Sequence, residues 1–115
     1  MEVRHFSDIP PERVVADGAE GVTIRWLISK KNGAPNFAMR FFEVQPGGST
    51  PLHTHEWEHE VYILNGTGNV WKDGAEHPVG PGTAILVSPM EEHRFSNTGD
   101  TVLQFLCMIP VYAEK

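Results

Sequence analysis

Cysteine is nearly absent: Cys107 is the only one, which excludes an internal disulfide and any Cys-rich zinc ribbon or finger. Positive charge is scarce as well. Lys+Arg number 9 against 15 Asp+Glu, a formal net charge of −6, and no basic cluster is present that would neutralise a phosphate backbone. Nucleic acid and anionic membrane are therefore not expected partners. No apolar run approaches the roughly 18 residues of a membrane span, and Met1-Glu2-Val3-Arg4-His5 lacks the basic-then-apolar pattern of a secretion signal. A soluble, cytoplasmic protein is the expectation. A sustained helical stripe is also missing.

What is present reads as β structure. The 115 residues are 40% hydrophobic, with 11 glycines and 9 prolines that fall between short apolar stretches, the pattern of a single all-β domain able to bury its own core. Val22–Ile28 and Phe37–Val44 are rich in β-branched and aromatic residues, and the segment 31–36 supplies turn chemistry between them. Glu60–Leu64 and Asn69–Lys72 flank Asn65-Gly66-Thr67-Gly68, Asp73-Gly74 provides a further turn, and Thr83–Val87 and Thr101–Ile109 complete roughly eight to ten strands. Residues 1–20 read as an arm lying over the barrel or over a neighbouring subunit. Its Ile9-Pro10-Pro11-Glu12-Arg13 cannot be a sheet interior, and Val14-Val15 suits an edge strand or one helical turn.

Chemistry concentrates in Gly47-Gly48-Ser49-Thr50-Pro51-Leu52-His53-Thr54-His55-Glu56-Trp57-Glu58-His59-Glu60. Residues two apart on a strand share a face, so His53 and His55 can aim both imidazoles at one point. A turn at Trp57-Glu58 would return His59 to that point, and His93 stands at another strand entrance. Neutral imidazoles bind zinc, iron, copper, nickel or manganese.

These residues resemble the first and second motifs of the cupin superfamily. Gly47 is followed by five residues and His53-Thr54-His55; three residues later comes His59, and six more lead to Gly66. His59 stands where most cupins carry glutamate. Glu60 could fill the slot by the family's four-residue option but leaves one residue too few before Gly66. In the second motif Gly82, His93 and Asn97 keep the spacing, whereas the family's Pro-x-Gly aligns with Ser88-Pro89-Met90. The resemblance covers residues 37 to 109. It implies a double-stranded β-helix, or jelly-roll barrel, with one divalent transition metal held by His53, His55, His59 and His93. It also implies a homodimer, as small single-domain cupins commonly are.

A lone histidine on an apolar face is usually a hydrogen-bonded core residue, whereas four at family spacing point to a metal. His5 and His77 lie in polar surroundings and read as solvated. Glu56, Glu58, Glu60 and Glu91-Glu92 read as a solvated rim, the alternative being that Glu58 or Glu60 accepts a hydrogen bond from a ligand imidazole. Trp57 either caps the pocket mouth or packs between strands. Phe95 shares the face of His93 and reads as pocket wall. Cys107 reads first as a small buried hydrophobe; if its face with Phe105 and Ile109 points inward, it lines the metal pocket and is exposed to oxidation there. Phe37, Met39 and Phe41 alternate with no sign of which face is inner. Arg25 and Arg40 suit a substrate carboxylate and a solvated face equally.

Four neutral ligands leave the ion's charge uncompensated, so a small anionic or chelating substrate is favoured. Manganese or iron with open positions suits an oxidative, dioxygenase-like metalloenzyme. Zinc, nickel and copper remain compatible, as do a metal-dependent decarboxylase or isomerase and a non-catalytic binding cupin with a structural zinc or a sensing role.

Overall fold

A computed structural model describes residues 1–114. Nine strands run in chain order: β1 (Glu12–Arg13), β2 (Glu20–Ile28), β3 (Phe37–Ser49), β4 (His59–Asn65), β5 (Gly68–Lys72), β6 (Ala75–Val79), β7 (Ala84–Val87), β8 (Arg94–Ser96) and β9 (Leu103–Pro110). All pair antiparallel in one curled sheet ordered β6-β5-β8-β3-β9-β4-β7, with β2 on β3 and β1 on β2. This is the all-β barrel that the strand pattern implies. Among the described residues no helix is long and apolar enough to cross a membrane.

The sheet closes because β3, at 13 residues, is long enough to serve several neighbours. Its Phe37–Val44 stretch pairs with β9 on one side and with β2 on the other, while Ser49 reaches β8. β9, the last strand in sequence, lies in the middle of the sheet between β3 and β4. Its residues alternate strictly, with Leu103, Phe105, Cys107 and Ile109 buried and Gln104, Leu106 and Met108 half-buried, so the odd positions face the interior. The register pairs Arg40 with Cys107 and Phe42 with Phe105. On β3 it is therefore the even set, Ala38, Arg40, Phe42 and Val44, that faces inward.

The odd set of β3 is outside, yet Phe41 is buried. The N-terminal arm covers it: Phe6 stacks on Phe41 at 4.9 Å, and the Arg25 guanidinium lies 5.3 and 5.9 Å from the two ring centres. Arg25 also pairs with Glu43 at 2.8 Å and donates to the Ile9 carbonyl. Arg25 is thus an exterior clamp for the arm, away from the barrel interior. Edge pairing falls on Glu12–Arg13, just before Val14, whose N–H donates to the Val22 carbonyl of β2 at 3.0 Å.

Two turns decide how strands are delivered to the site. Gly66 has φ +83, and a Cβ there would lie 2.4 Å from the Val102 carbonyl oxygen, so both the left-handed backbone and the close approach require glycine. Met90 occupies the slot where the family motif has glycine, and it too is left-handed, with φ 66. The turn is retained without its usual residue. Its N–H donates to the His55 carbonyl at 2.6 Å, and this tether offsets a conformation that costs a non-glycine residue about 1 kcal/mol. Met90→Gly is expected to raise stability by about 0.5–1 kcal/mol in urea unfolding. A loss instead would show that the methionine side chain itself holds the turn.

Candidate metal centre

Residues 51–58 follow β3 without joining a ladder; burial alternates along them, and the chain bends at Glu56–Trp57 before β4. Pro51, His53, His55 and Trp57 are half-buried, and Leu52, Thr54, Glu56 and Glu58 are exposed. The odd positions aim into the barrel mouth. His53 and His93 exchange both backbone hydrogen bonds as an isolated antiparallel bridge, at 3.1 and 3.2 Å. Asn97, buried four residues on, donates to the Val44 and Thr101 carbonyls at 2.8 Å and accepts from the Gly99 N–H. That asparagine anchors the end of β8 to β3 and keeps His93 in register.

Histidines 53, 55, 59 and 93 converge, each offering a ring nitrogen, and these atoms all lie within 4.8 Å of one another. The Nε2 atoms of His53 and His55 are 3.1 Å apart, close to the separation of two ligands at right angles on one ion at about 2.1 Å. His93 Nδ1 donates to the Glu91 carbonyl at 2.9 Å, which leaves Nε2 as the lone-pair nitrogen. His59 Nε2 is buried without a hydrogen-bond partner. Its Nδ1 lies 3.2 Å from Cys107 Sγ and 3.1 Å from Arg40 Nη2, and Arg40 Nη2 also donates to Cys107 Sγ at 2.9 Å. Arginine only donates, so a lone pair on His59 Nε2 requires the Nδ1 hydrogen to point at the sulfur. Cys107 and the Glu91 carbonyl are then the outer partners that set the two ring orientations. This donor set fits one divalent transition ion.

The cluster stands on the wall of a cavity of about 330 Å³ that Trp57, Phe95, Cys107, Arg40, Trp26 and Phe42 also line. Trp57 lies flat on His55, ring centres 4.4 Å apart and planes 8° from parallel. Glu60 is elsewhere. Strand alternation puts it on the exposed outer face of β4 opposite inward-facing His59, paired with Leu86 and Met108. It cannot assist the cluster, and Glu56 and Glu58 are likewise exposed. His77 is exposed on β6, and exposed His5 bonds to Ser7 in the arm. Arg40, Trp26 and Phe42 were not separable from surface residues by pattern. The cross-strand pairing of Arg40 with Cys107 is the signal that joins them.

Burial lowers the pKa of His59 to about 3, with Arg40 and the other three histidines adding to the effect, and burial also lowers that of His93. In chelated protein these rings stay neutral while the unfolded chain, with histidine at 6.5, takes up protons. Stability is therefore complete above pH 6.5 and falls as pH drops from there towards about 3. Thermal unfolding after chelation is expected to show this slope, reduced in His59→Phe. A flat profile across that range would contradict it.

The Cupin domain family model matches residues 40–109. An oxalate-binding protein of Thermotoga maritima is 38% identical over 109 residues, 90% of this chain and 88% of the relative. The polyketide cyclase RemF of Streptomyces resistomycificus superposes with a TM-score of 0.91 at 40% identity, over 96% of this chain and 80% of that one. A 1-methylthio-D-xylulose 5-phosphate methylsulfurylase of Rhodospirillum rubrum is 35% identical over 77 residues, 67% of this chain and 49% of its own. With its β-barrel and histidine cluster already seen, the chain belongs to the cupin family.

Proposed function

We propose that this cupin is a mononuclear metal-dependent enzyme acting on small oxygenated molecules, with His53, His55, His59 and His93 as the ligands. The observation that carries the reading is the convergence of four imidazole nitrogens on the wall of a cavity large enough for an organic ligand beside an ion. A purely structural zinc would have no use for that space. A bound divalent ion supplies Lewis acidity to a substrate oxygen. The chain's own residues do the rest. Cys107 and the Glu91 carbonyl orient ligand rings, Phe95 and Phe105 exclude water, and Trp57 braces His55.

The polyketide cyclase and oxalate-binding relatives support redox-neutral chemistry or binding at such a site. The oxidative, dioxygenase-like reading is supported by the donor set itself: four neutral imidazoles that suit iron or manganese. Exposed Tyr62, Leu64 and Leu86 on β4 and β7 support a homodimer through that outer face.

Elemental analysis of untagged protein purified without chelator, with O₂ uptake recorded after anaerobic iron or manganese loading, separates these. About one ion per chain with substrate-dependent uptake supports the oxidative reading, and one ion without uptake supports the redox-neutral one. Protein that neither retains nor takes up metal overturns both.

A further inference from the structure

Arg40 is the one charged side chain on the cavity lining; no aspartate or glutamate lines it among the described residues. Its guanidinium sits over Phe42 and Trp26, 5.0 and 5.6 Å from the ring centres, and its Nη2 donates to Cys107 Sγ at 2.9 Å. Its Nε is buried without a partner, as is the indole Nε1 of Trp57 on the same lining. Both atoms only donate hydrogen bonds, so only an acceptor satisfies them. Four neutral imidazoles offset neither the half-buried guanidinium nor an ion's charge, and a positive charge drawn partly out of water without a counter-charge is unfavourable.

We propose that the cavity binds an organic acid with a flat apolar body, its carboxylate paired with Arg40 and its body against Trp26, Phe42, Phe95 and Phe105. A phosphate or sulfate would need more donors than the apolar wall provides, whereas one carboxylate suits a guanidinium and an indole N–H. Arg40 is thus a substrate anchor, and it holds the acid beside the histidine cluster. The inference deepens the metal-enzyme reading by naming its substrate class and rests on it for the chemistry, but the carboxylate pairing itself needs no ion.

Calorimetric titration of the purified, metal-analysed protein with benzoate, benzamide and acetate tests this. Benzoate is expected to bind at least about 10-fold more tightly than benzamide, which lacks the charge, and than acetate, which lacks the apolar body. Arg40→Gln is expected to abolish the preference, bringing benzoate to the level of benzamide. Equal binding of benzoate and benzamide by the unaltered protein overturns the proposal, even if Arg40→Gln does not fold. So does benzoate binding that Arg40→Gln leaves unchanged. Carboxylate selectivity in protein that neither retains nor takes up metal would sustain the anchor and remove the metal-enzyme reading; metal without selectivity would do the reverse.

Discussion

His59→Ala is expected to reduce bound metal from about one ion per chain to a small residue after dialysis, an affinity loss beyond the 10–100-fold typical of outer-partner changes. His59 Nε2 is buried, lacks a partner and lies among the other ligand nitrogens. Its removal deletes a donor and leaves Arg40 and Cys107 facing a gap. Glu60→Ala is the matched control. That carboxylate is exposed on the opposite face of β4, so metal content should not change. Elemental analysis of both variants decides between the adjacent residues; metal lost from Glu60→Ala and kept by His59→Ala would reverse the assignment.

Phe105→Ala is expected to cost about 3–5 kcal/mol. Phe105 is 1% exposed and lies between Phe42 and Phe95, ring centres 5.2 and 4.9 Å away. It sits mid-strand in β9, paired with Phe42 of β3 and Ile63 of β4, so the barrel has little freedom to close over the gap. Because Phe105 also lines the cavity, truncation joins a new void to an existing one. At about 4 °C per kcal/mol for a domain of this size, the melting temperature should fall by about 10–20 °C. A fall of only a few degrees would show that the walls relax inward.

The histidine cluster was legible because its information is local: His53 and His55 need only an extended chain, and His59 only a turn before a strand. His93 was found through spacing alone, and the structure adds the reason, a backbone bridge to His53. The inner face of β3 was illegible for a physical cause. Apolar side chains occur on both its faces, because the outer one is itself covered by Phe6 of the arm and Arg25 of β2. Only the register against β9 resolves it, and register is a property of two distant segments. The same holds for Arg40, whose polar character suggested surface as readily as interior. At Met90 the residue type argued against the turn, and tertiary hydrogen bonding to His55 overrode it.

The place of β9 has a consequence for how the protein is made. A growing chain has all four histidines once residue 93 is added, but β3 and β4 have no strand between them until Leu103–Pro110 emerges. His59 until then lacks Cys107, the partner that turns its ring. Synthesis runs at about 5–20 residues per second, so the interval is brief, but any ion taken up within it meets imidazoles on an unclosed chain. A nascent polypeptide halted before Leu103 carries all four histidines and no closed barrel to gather them.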